Sequence, residues 1–271
     1  MTRSAALLAL AAFLIACPAC TCGGTHPAEV EPPRAGERQP AAEAAHDAAH
    51  GWQADAAVVR AGLEAYPLRH FSYALADVNV TIEDAGMRPS LASMLERPRA
   101  LLAVNGGFFD PRGNALGLAV SQGNSLAPFS PKLSGGVLAI EGGRGWLAET
   151  ESFVAPSKLD FAIQCRPRLV VGGKVNIRAD DGKRAERTAI CLREHGTILD
   201  FFIVRSDSAE HMLGPSLFAL AQHLAEFGCE DALNLDGGPS TGAAFWQDGK
   251  VQHLAPRGPI RHAILVRARE E

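Results

Sequence analysis

Two polar turns that follow apolar stretches contain the residues most capable of chemistry. The first apolar stretch ends at Asn105-Gly106-Gly107, and the second ends at Asn234-Leu235-Asp236-Gly237-Gly238. In an extended segment the side chains alternate between two faces, so Asn234 and Asp236 share one face and the neighbouring leucines share the other. A glycine pair allows a tight turn and a close approach of the backbone to a ligand. Each turn therefore combines a polar strand end with a backbone suited to a pocket.

Asp236, Arg187 and Asp110 are the candidate catalytic residues. A carboxylate at Asp236 can activate water or attack a sugar carbon. Arg187 lies at the head of a predicted buried strand, so its guanidinium either pairs with a carboxylate such as Asp236 or binds an anionic ligand. Asp110 is the candidate for a second carboxylate. The alternative for both acids is an ordinary turn, because Asp before Gly or Pro is a common turn former.

The candidate substrate-binding residues surround these charged groups. An asparagine amide offers both a donor and an acceptor to a sugar hydroxyl or a phosphate, and glycine N–H groups can approach an anion. Two hydroxyl side chains complete the rim of the second turn. The set is Asn105, Gly106, Gly107, Asn234, Gly237, Gly238, Ser240 and Thr241. The alternative for the first turn is a glycine-rich loop that anchors Phe108 and Phe109 in the core.

The elements that hold these turns are mostly predicted strands joined by hairpins. Turn residues at 122–123, 141–143, 172–173 and 247–250 separate short apolar strands. One amphipathic helix is predicted in the segment that Gly214-Pro215 opens, because apolar residues recur there at spacings of three and four, and Gly228 is expected to stop it. The predicted fold class is α+β, with a mixed, strongly twisted β-sheet core built largely from hairpins, a few flanking helices and a single domain.

The first 51 residues are predicted to precede the folded domain. Residues 1–16 have the charged start and short apolar run of a signal peptide. The sequence Leu14-Ile15-Ala16-Cys17 resembles a bacterial lipobox, which implies cleavage before Cys17 and its lipidation. The alternative is ordinary cleavage near Ala16 or Ala19 without a lipid. Residues 17–51 are rich in Pro, Ala, Glu and His, which predicts a disordered linker before a domain at 52–271.

Composition limits the partners that we expect. The formal net charge is −4 and the chain has no basic run, so nucleic acid is not an expected partner. No spacing of cysteine and histidine indicates a zinc site, and we predict no metal and no cofactor. The lipid at Cys17 is the only membrane contact that we expect.

Three of the six cysteines belong to the predicted domain, namely Cys165, Cys191 and Cys229. An odd number leaves at least one of them unpaired within the domain. Cys165 and Cys191 both lie in apolar, strand-like stretches and could pair. Cys229, directly after the helix, is predicted to be a small buried hydrophobic residue.

Three blocks together resemble the phosphodiester glycosidase family. They are residues 103–110, 187–190 and 232–241, and the likeness also includes 167–170 and 173–175. It covers roughly residues 70–268. The resemblance implies an α+β domain with a cleft, hydrolysis of a glycosidic bond to phosphate, and a site lined by polar residues of the first and last blocks.

The resemblance and the predicted signal together imply an exported hydrolase. We expect it to cleave sugar 1-phosphodiesters in envelope or extracellular glycoconjugates, as a lipoprotein of a bacterial periplasm or outer membrane. A carbohydrate or glycosyl phosphate would be its substrate. Two alternatives are a glycosidase that acts on ordinary cell-wall or exopolysaccharide bonds, and a carbohydrate-binding lipoprotein without catalytic activity.

Overall fold

The structure, a computed structural model, describes residues 52–53, 57–61, 64–87, 90–206 and 213–270. The predicted signal peptide, the linker and Cys17 lie outside the described residues. No helix in the described ranges is both long enough and apolar enough to span a bilayer.

Antiparallel sheets form most of the described chain. The strands are β1 Trp52–Gln53, β2 Ala57–Ala61, β3 Glu64–Ala74, β4 Val78–Asp84, β5 Ala100–Asn105, β6 Ala119–Ser121, β7 Asn124–Ala127, β8 Gly136–Glu141, β9 Arg144–Glu149, β10 Phe161–Cys165, β11 Arg168–Val171, β12 Lys174–Val175, β13 Arg187–Arg193, β14 Ile198–Val204, β15 Asp231–Asn234, β16 Ala243–Gln247, β17 Lys250–Leu254 and β18 His262–Ala268. The α-helices are α1 Leu91–Met94 and α2 Leu217–Phe227.

The strands of the described chain form three sheets. The largest has the order β1-β3-β14-β13-β15-β11-β12, with β2 also paired to β3. The second has the order β7-β6-β10-β8-β9, and the third has the order β17-β16-β5-β18-β4. The four predicted hairpins are confirmed as β6–β7, β8–β9, β11–β12 and β16–β17.

The α+β prediction is confirmed in its coarse form, because a single, mostly β domain carries a few helices. The expectation of a mixed sheet is wrong, since every strand pair that the structure describes is antiparallel. Consecutive strands such as β6–β7, β8–β9 and β16–β17 pair antiparallel because a short turn reverses the direction of the chain. Other antiparallel pairs, such as β5–β18 and β11–β15, join strands that are distant in the sequence.

Helix α2 lies in the predicted segment and stops at the predicted glycine. The Ser216 side chain caps its first turn by accepting a hydrogen bond from the Ala219 N–H at 3.2 Å. Gly228 ends it with φ of 102°, a left-handed conformation that favours glycine. The buried face of the helix, which includes Leu220 and Leu224, packs on one side of the largest sheet.

The main core lies on the opposite side of that sheet, where the three sheets meet. Strand β13 shows the alternation: Ile190 and Leu192 enter the main core, while Ala189 and Cys191 face α2. Leu233 and Leu235 both belong to the main core, so the predicted shared face of these leucines is confirmed. The same alternation turns Asn234 away from that core.

The pairing of Cys165 with Cys191, which the sequence left open, does not occur, and Cys229 is buried as predicted but is bonded to another cysteine. Cys191 forms a disulfide with Cys229, with the Cα atoms 5.7 Å apart, and Cys165 is a buried free thiol. Cys191 and Cys229 both lie in the cluster under α2, whereas Cys165 belongs to the main core. The sheet therefore separates Cys165 from Cys191, and the helix end brings Cys229 to the correct face.

Candidate functional site

A cleft of about 760 Å³ opens where β15 ends and where β11 and β13 begin. Its walls carry three acids, three arginines and several small residues. They are Phe108, Ser134, Gly135, Glu149, Glu151, Arg166, Pro167, Arg168, Asn176, Ala185, Arg187, Leu217, Asn234, Leu235, Asp236, Gly237 and Gly238.

The order of the strands explains why distant parts of the chain meet here. Strand β15 lies between β13 and β11 and is antiparallel to both. Ala189 of β13 lies opposite Asn234, and Arg168 of β11 lies opposite Leu233. The end of β15 therefore lies beside the starts of its two neighbours. This geometry places Asp236 and Arg187 in one cleft, as the sequence predicts.

The first glycine turn holds the backbone of Asp236. The Asp236 N–H donates to the Gly106 carbonyl oxygen at 3.1 Å, and the Asn105 Nδ2 donates to the Asp236 carbonyl oxygen at 2.7 Å. One carboxylate oxygen of Asp236, Oδ1, accepts a hydrogen bond from the Gly237 N–H at 2.9 Å. The two motifs found in the sequence are thus in direct contact.

The Asp236 carboxyl group is partly buried, and burial raises its pKa above the ordinary value for Asp. The Ser240 hydroxyl and the Gly237 N–H act in the opposite direction because they stabilise the carboxylate. A raised pKa in a cleft is typical of a carboxyl group that exchanges protons during a reaction. Asp236 therefore has the position and the electrostatic environment of a catalytic acid or base.

Asn105 lies beneath the cleft and does not line it. It is fully buried, and its Oδ1 accepts hydrogen bonds from Thr188 Oγ1 at 2.7 Å and from the Gly242 N–H at 3.1 Å. Both ends of the amide are thus engaged within the protein. The observed geometry gives Asn105 a positioning role behind Asp236, in place of the predicted contact with sugar or phosphate.

Gly106 and Gly107 also support the cleft from behind. The Gly106 N–H donates to the His262 carbonyl oxygen at 2.8 Å. A Cβ atom at Gly106 would lie 2.9 Å from the His262 Cβ, so the close approach of the two strands requires glycine. A Cβ atom at Gly107 would lie 3.6 Å from Cys165 Sγ, which is ordinary contact.

Arg187 lines the cleft with its guanidinium half-buried. Its Nε and Nη2 donate to the carbonyl oxygens of Pro215 and Lys183, each at 3.2 Å. Among the described residues no carboxylate lies within 4.0 Å of it, although Asp181 exerts a weaker electrostatic influence. Burial lowers the pKa of the guanidinium. Of the two alternatives from the sequence, binding of an anionic ligand fits this geometry.

Gly237 and Gly238 shape the floor of the cleft. Gly238 has φ of 59°, and its N–H donates to the Glu186 carbonyl oxygen at 2.8 Å. A Cβ atom at Gly237 would lie 2.9 Å from that same oxygen. The N–H groups of both glycines donate within the protein, so the cleft uses their small size and turn geometry.

Asn234 is the predicted amide that does line the cleft. Its Nδ2 donates to the carbonyl oxygens of Arg166 at 2.9 Å and Leu235 at 2.8 Å, and its buried Oδ1 has no partner among the described residues. Ser240 Oγ donates to the Pro259 carbonyl oxygen at 2.9 Å, and Thr241 is fully buried. Ser240 thus ties the turn to Pro259, and neither hydroxyl residue forms part of the cleft wall.

Asp110 lies outside the cleft lining, in a turn. Its carboxylate accepts hydrogen bonds from the N–H groups of Arg112 at 2.8 Å and Asn114 at 2.9 Å, and from Asn114 Nδ2 at 2.9 Å. The bonds from Asn114 and the neighbouring N–H groups lower the pKa of the carboxyl group. The turn-forming alternative from the sequence matches this geometry.

Sequence reasoning did not identify two acids and one arginine of the cleft, Glu149, Glu151 and Arg166. Glu149 ends a scaffold hairpin and Glu151 follows in an exposed turn, so neither has a local signal. Arg166 is distinguished only by the turn Arg166-Pro167-Arg168 before β11. Within the described ranges, no group of three or more His, Cys, Asp or Glu side chains could hold a metal ion.

Glu186 is a further residue that the sequence did not indicate. It is fully buried, and its carboxylate oxygen Oε1 accepts hydrogen bonds from Arg257 Nη2 at 3.0 Å and the Ser206 N–H at 3.2 Å. Burial raises its pKa, while Arg257 and Arg205 oppose the change. Since its backbone also accepts the bond from Gly238, Glu186 fixes the floor of the cleft.

Solved structures of low sequence identity share this fold. The catalytic domain of zebrafish N-acetylglucosamine-1-phosphodiester alpha-N-acetylglucosaminidase, auto-inhibited by its pro-peptide, aligns with a TM-score of 0.61 and 17% identity, over 80% of this chain and 82% of that chain. A hypothetical protein from Synechocystis aligns with a TM-score of 0.60 and 17% identity, over 79% of this chain and 61% of that chain. The alignment therefore spans less than two thirds of the Synechocystis protein.

A third structure, a putative exported protein from Burkholderia pseudomallei, aligns with a TM-score of 0.50 and 12% identity, over 74% of each chain. No match was found among curated proteins. The family model for phosphodiester glycosidases matches residues 98–267, which is more than half of the chain and includes both glycine turns, Arg187 and Asp236. The chain belongs to the phosphodiester glycosidase family.

Proposed function

We propose that this protein hydrolyses the bond between a sugar anomeric carbon and a phosphodiester oxygen. The observation that carries the proposal is the shared cleft of Asp236 and Arg187, in which the guanidinium has no carboxylate within ion-pair distance among the described residues. The Asp236 carboxylate can act on the sugar carbon or on water, and the Arg187 guanidinium can bind the phosphate. Family membership supports the same reaction class.

The reaction divides naturally between these two groups. Asp236 removes a proton from water as it attacks the anomeric carbon, or attacks that carbon itself, and the carbon–oxygen bond to phosphate breaks. The phosphomonoester leaves with the bonding electrons. Its second pKa is near 6, so it departs with little help from a general acid. Arg187 stabilises the developing negative charge, and Asn234 Oδ1 is suited to accept a hydrogen bond from a sugar hydroxyl.

The proposed setting is the bacterial cell envelope or the extracellular space. It rests on the sequence alone, through the signal-like residues 1–16 and the lipobox-like segment that ends at Cys17. A lipid on Cys17 would hold the catalytic domain near a membrane surface by way of the linker 17–51. Labelling with a radioactive fatty acid, with Cys17→Ser as the control, tests this part separately.

Replacement of Asp236 tests its catalytic role. We expect Asp236→Asn to lower kcat/KM on a sugar 1-phosphodiester by about 10²-fold or more, the scale of a lost acid or base. The matched control is Asp110→Asn, because Asp110 lies outside the cleft lining and we expect a change of no more than about threefold. Circular dichroism checks that both variants fold. Full activity of folded Asp236→Asn would remove this carboxylate from the mechanism.

Replacement of Arg187 tests the phosphate site. We expect Arg187→Lys to lower kcat/KM by about tenfold on a sugar 1-phosphodiester but by less than threefold on an aryl glycoside, because lysine cannot form a bidentate contact with phosphate. The ratio of the two losses is the measurement. Equal losses of kcat/KM on both substrates would mean that Arg187 has a structural role and does not bind the phosphate.

Glu151 favours one second candidate, a glycosidase that acts on ordinary glycosidic bonds. Its exposed carboxyl lines the same cleft as Asp236 and could protonate a neutral leaving group. That reaction would give a bell-shaped pH profile on neutral leaving groups. Loss of the alkaline limb in Glu151→Gln would support the second candidate, whereas an unchanged profile would oppose it.

A further inference from the structure

Two arginines flank Asp236 on the neighbouring strands of the sheet. Arg187 begins β13 on one side of β15, and Arg166 lies two residues before β11 on the other side. Adjacent strands lie about 4.8 Å apart, so the two arginine-bearing segments lie about 10 Å apart with Asp236 between them. Both side chains line the cleft. Two guanidinium groups can therefore approach one ligand from opposite sides.

The backbone of Arg166 is held firmly in this position. Asn234 Nδ2 donates to the Arg166 carbonyl oxygen at 2.9 Å, and the Asn234 N–H donates to the Pro167 carbonyl oxygen at 3.0 Å. Behind it, a Cβ atom on Gly135 would lie 2.6 Å from the Arg166 Cβ and 2.3 Å from the Cys165 carbonyl oxygen. The close packing permits only glycine there. The segment that presents Arg166 is thus part of the rigid sheet end.

The three arginines of the cleft differ in their partners. Arg168 is neutralised by an ion pair with Glu149. Within the described ranges, the hydrogen bonds of the Arg187 guanidinium go to backbone carbonyl oxygens. Arg166 is exposed and has no ion pair or hydrogen bond from its side chain to any residue that the structure describes. The cleft therefore offers two guanidinium groups to a ligand, on opposite sides of Asp236.

A phosphodiester carries one negative charge, which a single guanidinium can bind in a bidentate manner. A second unpaired guanidinium on the far side of the carboxyl matches a second anionic group. We propose that Arg166 is a specificity-determining residue that selects sugar 1-diphosphate esters, in which a second phosphate adjoins the one whose bond to the sugar breaks. This inference rests on the proposed function, because Arg187 holds the first phosphate.

Binding of small inorganic anions tests the proposal without turnover. Calorimetry would measure the affinities of phosphate and pyrophosphate for the wild-type protein, Arg166→Gln and Arg187→Gln. We expect Arg166→Gln to lower the affinity for pyrophosphate by about tenfold, which is the scale of one charged hydrogen bond near solvent. The affinity for phosphate should not change. We expect Arg187→Gln to lower the affinity for both anions. The matched control is Arg112→Gln, an exposed arginine outside the cleft, which should alter neither affinity.

Other outcomes of this experiment would overturn the proposal. If Arg166→Gln lowers the affinities for phosphate and pyrophosphate equally, Arg166 belongs to the first phosphate site. If it changes neither affinity, Arg166 is an ordinary surface residue. Equal affinity of the wild-type protein for the two anions would also contradict a second phosphate site.

A substrate pair separates failure of this inference from failure of the proposed function. The methyl diester of a sugar 1-phosphate has one phosphate, and the corresponding sugar diphosphate ester has two. We expect Arg166→Gln to reduce kcat/KM about tenfold on the second substrate only. Turnover of neither substrate by the wild-type protein would refute the proposed function, while the anion affinities would still decide the role of Arg166.

Discussion

At the scale of residues, the site depends on what surrounds each polar group. Asp236 and Asp110 are both acids followed by Gly or Pro, yet burial raises the pKa of Asp236 while hydrogen bonds lower that of Asp110. The difference is environmental: Asp236 lies in a cleft wall, and Asp110 is surrounded by N–H donors in an exposed turn. Residue type alone could not distinguish a catalytic carboxyl from a turn former.

The raised pKa of Asp236 predicts a cost in stability. The folded state binds a proton at Asp236 more tightly than the unfolded state, so this group reduces stability as pH rises above about 3.9 through its folded pKa. We therefore expect Asp236→Asn to melt about 2 °C or more above the wild-type protein at pH 7. The gap should narrow toward pH 4, because the folded carboxyl takes up its proton at higher pH than the unfolded one and then no longer bears the cost of a buried charge. Thermal melts of both proteins between pH 4 and pH 8 measure it.

A constant gap across that pH range would mean that burial does not perturb Asp236. The control is Asp110→Asn, whose wild-type pKa is lowered, so its effect has the opposite sign. Asp110 contributes stability above the unfolded pKa, and this contribution is lost as pH falls through the folded pKa. Its variant should melt at or below the wild-type temperature at pH 7.

At the scale of elements, strand β15 is the centre of the site because its two neighbours contribute the arginines. Its position between β13 and β11 is set by alternating apolar side chains and by the disulfide at the end of α2. Cys229 precedes β15 by two residues, and Cys191 lies on β13. The disulfide therefore joins the helix end to the sheet close to the start of β15.

Removal of this disulfide should lower the free energy of unfolding. The bond closes a loop with a sequence separation of 38, so we expect the double variant Cys191→Ala, Cys229→Ala to lose about 2–4 kcal/mol. Urea unfolding under non-reducing conditions measures the change. The wild-type protein should lose a similar amount in the presence of a reductant, whereas the double variant should not respond. Equal stability of the two oxidised proteins would contradict this prediction.

At the scale of the whole molecule, the three sheets meet at the cleft. The largest sheet supplies Arg187 and the strand that leads to Asp236, while the second supplies Glu149 and strand β10, which ends directly before Arg166. The third sheet supplies Asn105, which bonds to Asp236, Thr188 and Gly242. Asn105 is fully buried, so it joins two sheets and holds the backbone of Asp236 at the same time.

Replacement of Asn105 should therefore impair stability and catalysis together. Asn105→Ala leaves buried polar groups of three residues without partners, and we expect a loss of about 3 kcal/mol in the free energy of unfolding. We also expect kcat to fall by about tenfold or more, with little change in KM, because Asp236 shifts while the cleft wall remains. The control is Asn79→Ala, an exposed asparagine on β4, for which we expect a change within about 0.5 kcal/mol. A rise in KM without loss of stability would instead assign Asn105 to substrate binding.

The sequence by itself determined the local structure and the two polar turns. Hairpins, the end of α2, and the shared face of Leu233 and Leu235 depend on residue periodicity and on glycine, which act over a few positions. The pairing of Asp236 with Arg187 in one site was also predicted, through the family resemblance and the strand ends.

Only the tertiary structure decided which groups meet and which way they face. The order β13-β15-β11 brought Arg166 to the cleft, and the opposite faces of the sheet separated Cys165 from Cys191. The Asn105 side chain faces inward because its amide forms hydrogen bonds with Asp236, Thr188 and Gly242. These outcomes depend on packing between segments that are distant in the sequence, for example Asn105 and Thr188, whose side chains are hydrogen-bonded across a sequence separation of 83. Such contacts leave no periodic pattern in the local sequence, so they are visible only once the sheets are assembled.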